Sequence, residues 1–110
     1  MLLIQLLLPT NLSKRPAVHD ATAALADTHR ELAATFDGVT AYLRSPAKGI
    51  WTAPDGHTEQ DDVVMVEVVT ERFDRHWWRT YIATLLQRFQ QDAIDVRALP
   101  IQMLDEAGER

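Results

Sequence analysis

The chain has no cysteine among its 110 residues. Disulfides, thiolate catalysis, zinc–cysteine sites and iron–sulfur ligation are therefore excluded for it. Serine is nearly as scarce, with only Ser13 and Ser45, both near loop prolines, so covalent serine catalysis is not expected. There is no phosphate-binding glycine loop, no HExxH pair and no nucleophile elbow. Lysine is limited to two residues against nine dispersed arginines, no run of like charge exceeds two, and the net charge is -5. That balance argues against nucleic acid or an anionic membrane as the main partner. Long hydrophobic runs are also missing. The opening MLLIQLLL has no preceding positive charge, is interrupted by Gln5, stops at Pro9, and is too short to cross a bilayer as a helix. It reads as a buried strand, and a cytoplasmic location is the expectation.

What is present is an ordinary globular composition, 46% hydrophobic and 25% charged, which at this length predicts one domain over 1–110, ordered to about 104 with a tail at 105–110. Residues 2 to 8 alternate Leu2, Ile4, Leu6 and Leu8 against Leu3, Gln5 and Leu7, so both faces of this strand look covered. From 17 to 36 the period becomes helical through Val18, Ala21, Leu25, Leu32 and Phe36, with Asp37-Gly38 as the stop. Val39, Ala41 and Leu43 restore a period of two until SPAKG breaks or bulges it, and Ile50 to Thr52 resume it. APDGH at 53–57 is a turn, followed by polar TEQDD and the strongest strand, Val63 to Thr70. A second helix is expected from after TERFD to about Asp92, and AIDVRALPI closes with a strand.

Strand, helix, strand, strand, helix, strand is the α+β, ferredoxin-like βαββαβ pattern: a four-stranded antiparallel sheet in the order 4-1-3-2 with both helices on one face. Alternation then turns Ile4, Leu6, Ala41, Leu43, Val64, Val66, Val68, Ile94 and Val96 toward the helices. The opposite face carries Gln5, Tyr42, Arg44, Met65, Glu67 and Arg97 among Leu3, Leu7 and Val69.

The densest chemistry in the sequence is RHWWRTY at 75–81. At about 100° per residue, Trp78 shares a stripe with Ile82, Leu85 and Phe89 and is a core anchor. Trp77 lies on the flank beside Tyr81 and Arg88, either packed under a loop or available as a partner or ligand surface, while His76 points to water. Glu67 is the more informative charge, because a carboxylate in a central valine-rich strand needs partners. Gln5, Tyr42 or Arg44, and Arg97 one strand beyond, are its candidate neighbours. Such a set can seal a subunit interface, bind a small polar ligand, or leave Glu67 as a general acid or base. His57, Glu59 and Asp61, alternating along an extended segment, form a weak divalent-metal candidate whose simpler reading is exposed turn chemistry.

FDGVTAY, GIWTAPDG, EQDDVVMVEV and YIATLLQRFQQDAIDVRA, spanning about residues 36 to 97, resemble an uncharacterised family of short bacterial proteins, a domain of unknown function. Gly38, Thr40, Gly49, Trp51, Arg88, Phe89 and Gln91 carry the likeness, and Asp37 stands where that pattern has a second glycine. The resemblance implies a ferredoxin-like fold and no assigned chemistry. An open sheet face is commonly hidden against a second copy. The leading expectation is accordingly a homo-oligomer that binds a small polar metabolite or acts as an interaction module, with no cofactor. The alternatives are a cofactor-independent enzyme of the dimeric α+β barrel type, monooxygenase-like or isomerase-like, using Glu67, and a metal-binding regulator.

Overall fold

The computed structural model describes residues 1–10, 21–52, 58–105 and 108–109, with side chains described for 1–10, 21–39 and 63–104. The elements are β1 (Leu2–Pro9), α1 (Thr22–Thr35), β2 (Gly38–Thr52), β3 (Thr58–Thr70), α2 (Arg75–Arg88) and β4 (Asp95–Pro100), followed by two short strands, β5 (Leu104–Asp105) and β6 (Gly108–Glu109). The first four strands form one antiparallel sheet in the order β2-β3-β1-β4, which counted from the β4 edge reads 4-1-3-2. The class is α+β.

β1 and β3 are central because their apolar residues fill both faces, which an edge strand with one wet side does not require. Ile4, Leu6, Leu8, Val64, Val66 and Val68 are all at most 2% exposed. They share one core with Leu25 and Leu32 of α1 and Trp78, Leu85 and Phe89 around α2, so both helices cover the same face of the sheet. Val39, Ile94 and Val96 pack at the margin of that core. The side chains of Ala41 and Leu43, expected with them, lie outside those described.

Several boundaries differ from the sequence reading. β3 starts at Thr58 and takes in the polar TEQDD, because each of those residues pairs with β2 out to Thr52↔Thr58. Ladder hydrogen bonds, which do not depend on side-chain polarity, extend the hairpin there. Of the two outcomes expected at SPAKG, β2 shows the bulge: it continues through, with a shift of register between Tyr42 and Ala47. Within the expected tail, Asp105 pairs with Gly108, next to the pairing of Leu104 with Glu109. Positions 17–20 of the expected first helix, including His19, lie outside the described residues. At its other end the helix stops because Phe36 turns extended, at φ -123°. Gly38 serves a different purpose: a Cβ there would sit 3.3 Å from the Val69 Cβ across the strand pair.

The second helix ends at Arg88, four residues before the expected Asp92, in a Schellman turn. The Gln91 amide donates to the Leu86 carbonyl at 2.9 Å and the Gln90 amide to the Gln87 carbonyl at 3.2 Å. Gln90 occupies the left-handed position, at φ 54°, that glycine usually fills, and so leaves no residue-type signal for the stop. Left-handed strain of about 1–2 kcal/mol is relieved by Gln90→Gly, while the greater freedom of glycine in the unfolded chain takes back about half of that. The expected result is a gain of about 0.5 kcal/mol and a rise of roughly 2–4 °C in Tm by thermal circular dichroism. A fall in Tm would contradict this account of the cap.

Candidate functional site

The face of the sheet away from the helices carries the odd-numbered residues of both central strands. Leu3, Gln5, Leu7, Val63, Met65, Glu67 and Val69 are each half-buried. Register arranges them in cross-strand rows. Leu99, Leu3, Val69 and Gly38 form an apolar row, with Leu99 40% exposed; Arg97, Gln5, Glu67 and Thr40 form the polar row beside it; Asp95, Leu7, Met65 and Tyr42 form the next.

Within the polar row the Gln5 Nε2 donates to the Glu67 Oε2 at 3.0 Å and lies 3.7 Å from the Met65 Sδ. The pair is central in the sheet and has Leu3, Leu7, Met65 and Val69 two residues away along its strands. An amide held against a carboxylate over this apolar floor can present hydrogen-bond acceptors to an amine or hydroxyl arriving on the face.

The expected neighbours of Glu67 are thus only partly assembled. Gln5 is opposite it, as read from the alternation, and Arg97 is opposite Gln5. The Arg97 guanidinium is also 3.9 Å from Asp95, an exposed and weak ion pair. On the other side Thr40, not Tyr42 or Arg44, is directly opposite; Tyr42 faces Met65, and Arg44 falls in the stretch where the register shifts. Continuing the register of Thr40↔Glu67 and Tyr42↔Met65 would set Arg44 opposite Val63 even without the shift, so it is the register itself, which periodicity does not reveal, that keeps Arg44 out of the row. Trp51 pairs with Glu59, eight residues along β3 from Glu67 and so about 27 Å away at ~3.4 Å per residue. His57 lies outside the described residues, and Glu59 and Asp61 are placed in β3 by backbone only. Among the described residues no three His, Asp or Glu side chains gather as a metal would need.

Trp77 and Tyr81 belong to the opposite layer of the molecule. Trp77 is half-buried, edge-on to Phe36 at 5.2 Å and to Trp78 at 4.9 Å, and stacked on Tyr81 at 4.8 Å. Next to this aromatic cluster runs a polar network that ties α2 to α1. Arg88 grips Glu31 with two charge-assisted hydrogen bonds, of 2.9 and 2.7 Å, and donates to the Thr28 Oγ1 at 3.0 Å. The Tyr81 hydroxyl donates to the same carboxylate at 3.0 Å.

The Arg88 hydrogen bond, and after it the Tyr81 hydroxyl and the Arg88 charge, hold the Glu31 carboxyl below its usual value against the opposing effect of burial. Burial pushes the Tyr81 phenol up to about 12, helped by its bond to the Glu31 carboxylate. Neither Thr28 nor Glu31 stands out in the sequence. The available signal is the pairing of their i,i+3 spacing on α1 with Tyr81 and Arg88 two turns apart on one flank of α2.

Among the described residues, no helix is long and apolar enough to cross a membrane. No protein-family model matches the sequence, and no curated protein aligns with it significantly.

Proposed function

We propose that this chain is a ferredoxin-like homo-oligomeric module whose open sheet face packs on a second copy and encloses the Gln5–Glu67 pair as a small polar binding site. The kinship with short bacterial proteins and the cytoplasmic location belong to the same reading. One observation carries it: in a sheet covered by helices on one side, the other side holds Leu3, Leu7, Met65 and Val69 half-buried around a hydrogen-bonded carboxylate. A wholly solvated antiparallel face would instead read as polar at these positions.

Over the eight-residue length of β1, four strands spaced by ~4.8 Å with ~3.3 Å per residue give a face of roughly 500 Å², short of the ~800 Å² per partner of a standard stable contact. The dimer is therefore weak, with dissociation in the micromolar range. A dimeric α+β barrel enzyme is the second reading, and it uses the same surface with Glu67 as the acid or base.

Sedimentation velocity from about 1 to about 500 µM is the measurement, matched to a micromolar dissociation constant. Wild type is expected to shift from monomer to dimer across that range. Leu3→Arg, which puts a charge in the apolar row, should remain folded by circular dichroism and monomeric throughout. Glu67→Gln keeps the shape and the dimer, and loss of ligand binding or turnover without loss of assembly would assign Glu67 to chemistry. Wild type that stays monomeric at the highest concentration would overturn the assembly.

A further inference from the structure

A concavity lies where β3 ends and β2 begins, one cross-strand row beyond the Gln5–Glu67 pair. It is an open cleft of about 690 Å³, within the size range of small-molecule sites. Phe36, Trp77 and Trp78 line it, and all three are locked together by ring contacts: Phe36 is stacked on Trp78 at 5.5 Å and meets Trp77 edge-on. Aromatic walls that are already packed lose little entropy when a ligand arrives.

The rim is acidic. Asp37, Glu71 and Asp74 line the cleft and are exposed, against Arg72 and the amine of Met1. Two helix ends meet there as well. Thr35, the last residue of α1, lines the cleft, and the last turn of α1 has no basic residue, so the partial negative charge of its carbonyl end is uncompensated on its own helix. The opposite, positive end of α2 is already answered, because the Asp74 Oδ1 accepts from the Trp77 amide at 3.0 Å. An anion entering the cleft thus meets three carboxylates against two cations on the rim, and a helix N-terminus whose side-chain cap is in place.

From the aromatic walls, the acidic rim and the carbonyl end of α1 together, we infer that this cleft binds an organic cation: an ammonium or quaternary ammonium group carried on a compact apolar or aromatic body. The cation gains from the ring quadrupoles and the carboxylates at once, and the apolar body covers Phe36 and Trp77. Gly38 and Val69 belong both to the lining of the cleft and to the apolar row of the open sheet face, so binding is measured at a concentration where the chain is monomeric.

Benzyltrimethylammonium is the probe, with benzoate and benzyl alcohol as its anionic and neutral counterparts, followed by indole N–H shifts in two-dimensional NMR of the full chain at fixed ionic strength. Saturable movement of the Trp77 indole signal is expected with the cation, and affinity at least about fivefold weaker for the other two probes. The double variant Asp37→Asn, Glu71→Gln alters only exposed side chains and should keep the fold while weakening the cation about fivefold or more. In Trp77→Leu, followed through the Trp78 indole signal, saturable movement should be lost. Equal binding of benzoate, an unchanged affinity in the double variant, or no saturable movement of Trp77 would each overturn the assignment.

Discussion

Trp78→Ala is expected to lower the free energy of unfolding by about 3–5 kcal/mol, the largest effect of any single truncation proposed here. Trp78 is 3% exposed and sits where both helices meet the sheet. Its ring is stacked on Phe36 with an interplanar angle of 16°, and edge-on to Trp77 at 82° and to Tyr81 at 83°. Removing it deletes the buried area of a large aromatic and leaves a cavity that three interlocked rings cannot collapse into without losing their own contacts. Since a domain of this size is stable by only ~5–15 kcal/mol, the variant gives up at least about a fifth of the total. His76→Ala, two positions into α2 but exposed, should change stability by no more than about 0.5 kcal/mol. Urea denaturation followed by far-ultraviolet circular dichroism decides the matter. A loss below about 1 kcal/mol for Trp78→Ala would mean that the core closes without it.

The second large effect belongs to Arg88. Its side chain is 20% exposed and that of Glu31 is 38% exposed. A surface ion pair contributes ~0–1 kcal/mol, and breaking a fully buried one costs ~3–5; this pair falls between, so Arg88→Ala is expected to cost about 2 kcal/mol. Part of that cost comes from Thr28, which is fully buried: its hydroxyl still donates to the Ala24 carbonyl at 2.8 Å but loses its donor from Arg88. A double-mutant cycle with Glu31→Gln should return a coupling energy of at least about 1 kcal/mol, and a coupling near zero would reduce the network to solvated neighbours.

The network also sets two limits in pH. Glu31 is held below its ordinary value of 4.5, so its contribution is present above that value and disappears as pH falls through the lower folded one. Tyr81 has the opposite sign. Its phenol is raised from 10.0 to about 12, so its contribution is complete below 10.0 and is lost as pH rises through about 12. Absorbance titration at alkaline pH should show one of the two tyrosines ionising late, and in Tyr81→Phe that late phase should be gone.

Alternation and helical phase were enough to place many individual residues. Ile4, Leu6, Val64, Val66 and Val68 face the core and Gln5, Met65 and Glu67 the other side, because successive side chains on a strand must point to opposite faces whatever the strand pairs with. The 3.6-residue turn sends Trp78, Leu85 and Phe89 inward and leaves His76 exposed for the same local reason. Gln90 escaped this reasoning, since a left-handed cap occupied by glutamine has no signature in residue type.

The sequence by itself determined the order of the first six elements, the two faces of the central strands and the apolar stripe of α2, all of which follow from the fixed periods of a single backbone segment. Only the tertiary structure decided that Thr40 and not Arg44 stands opposite Glu67, that Arg88 reaches Glu31 across 57 residues, and that four separate segments close a cleft around Trp77. Those outcomes depend on strand register and on how two helices are rotated against one sheet. Both are set by packing between distant segments, which the period of any one segment does not encode.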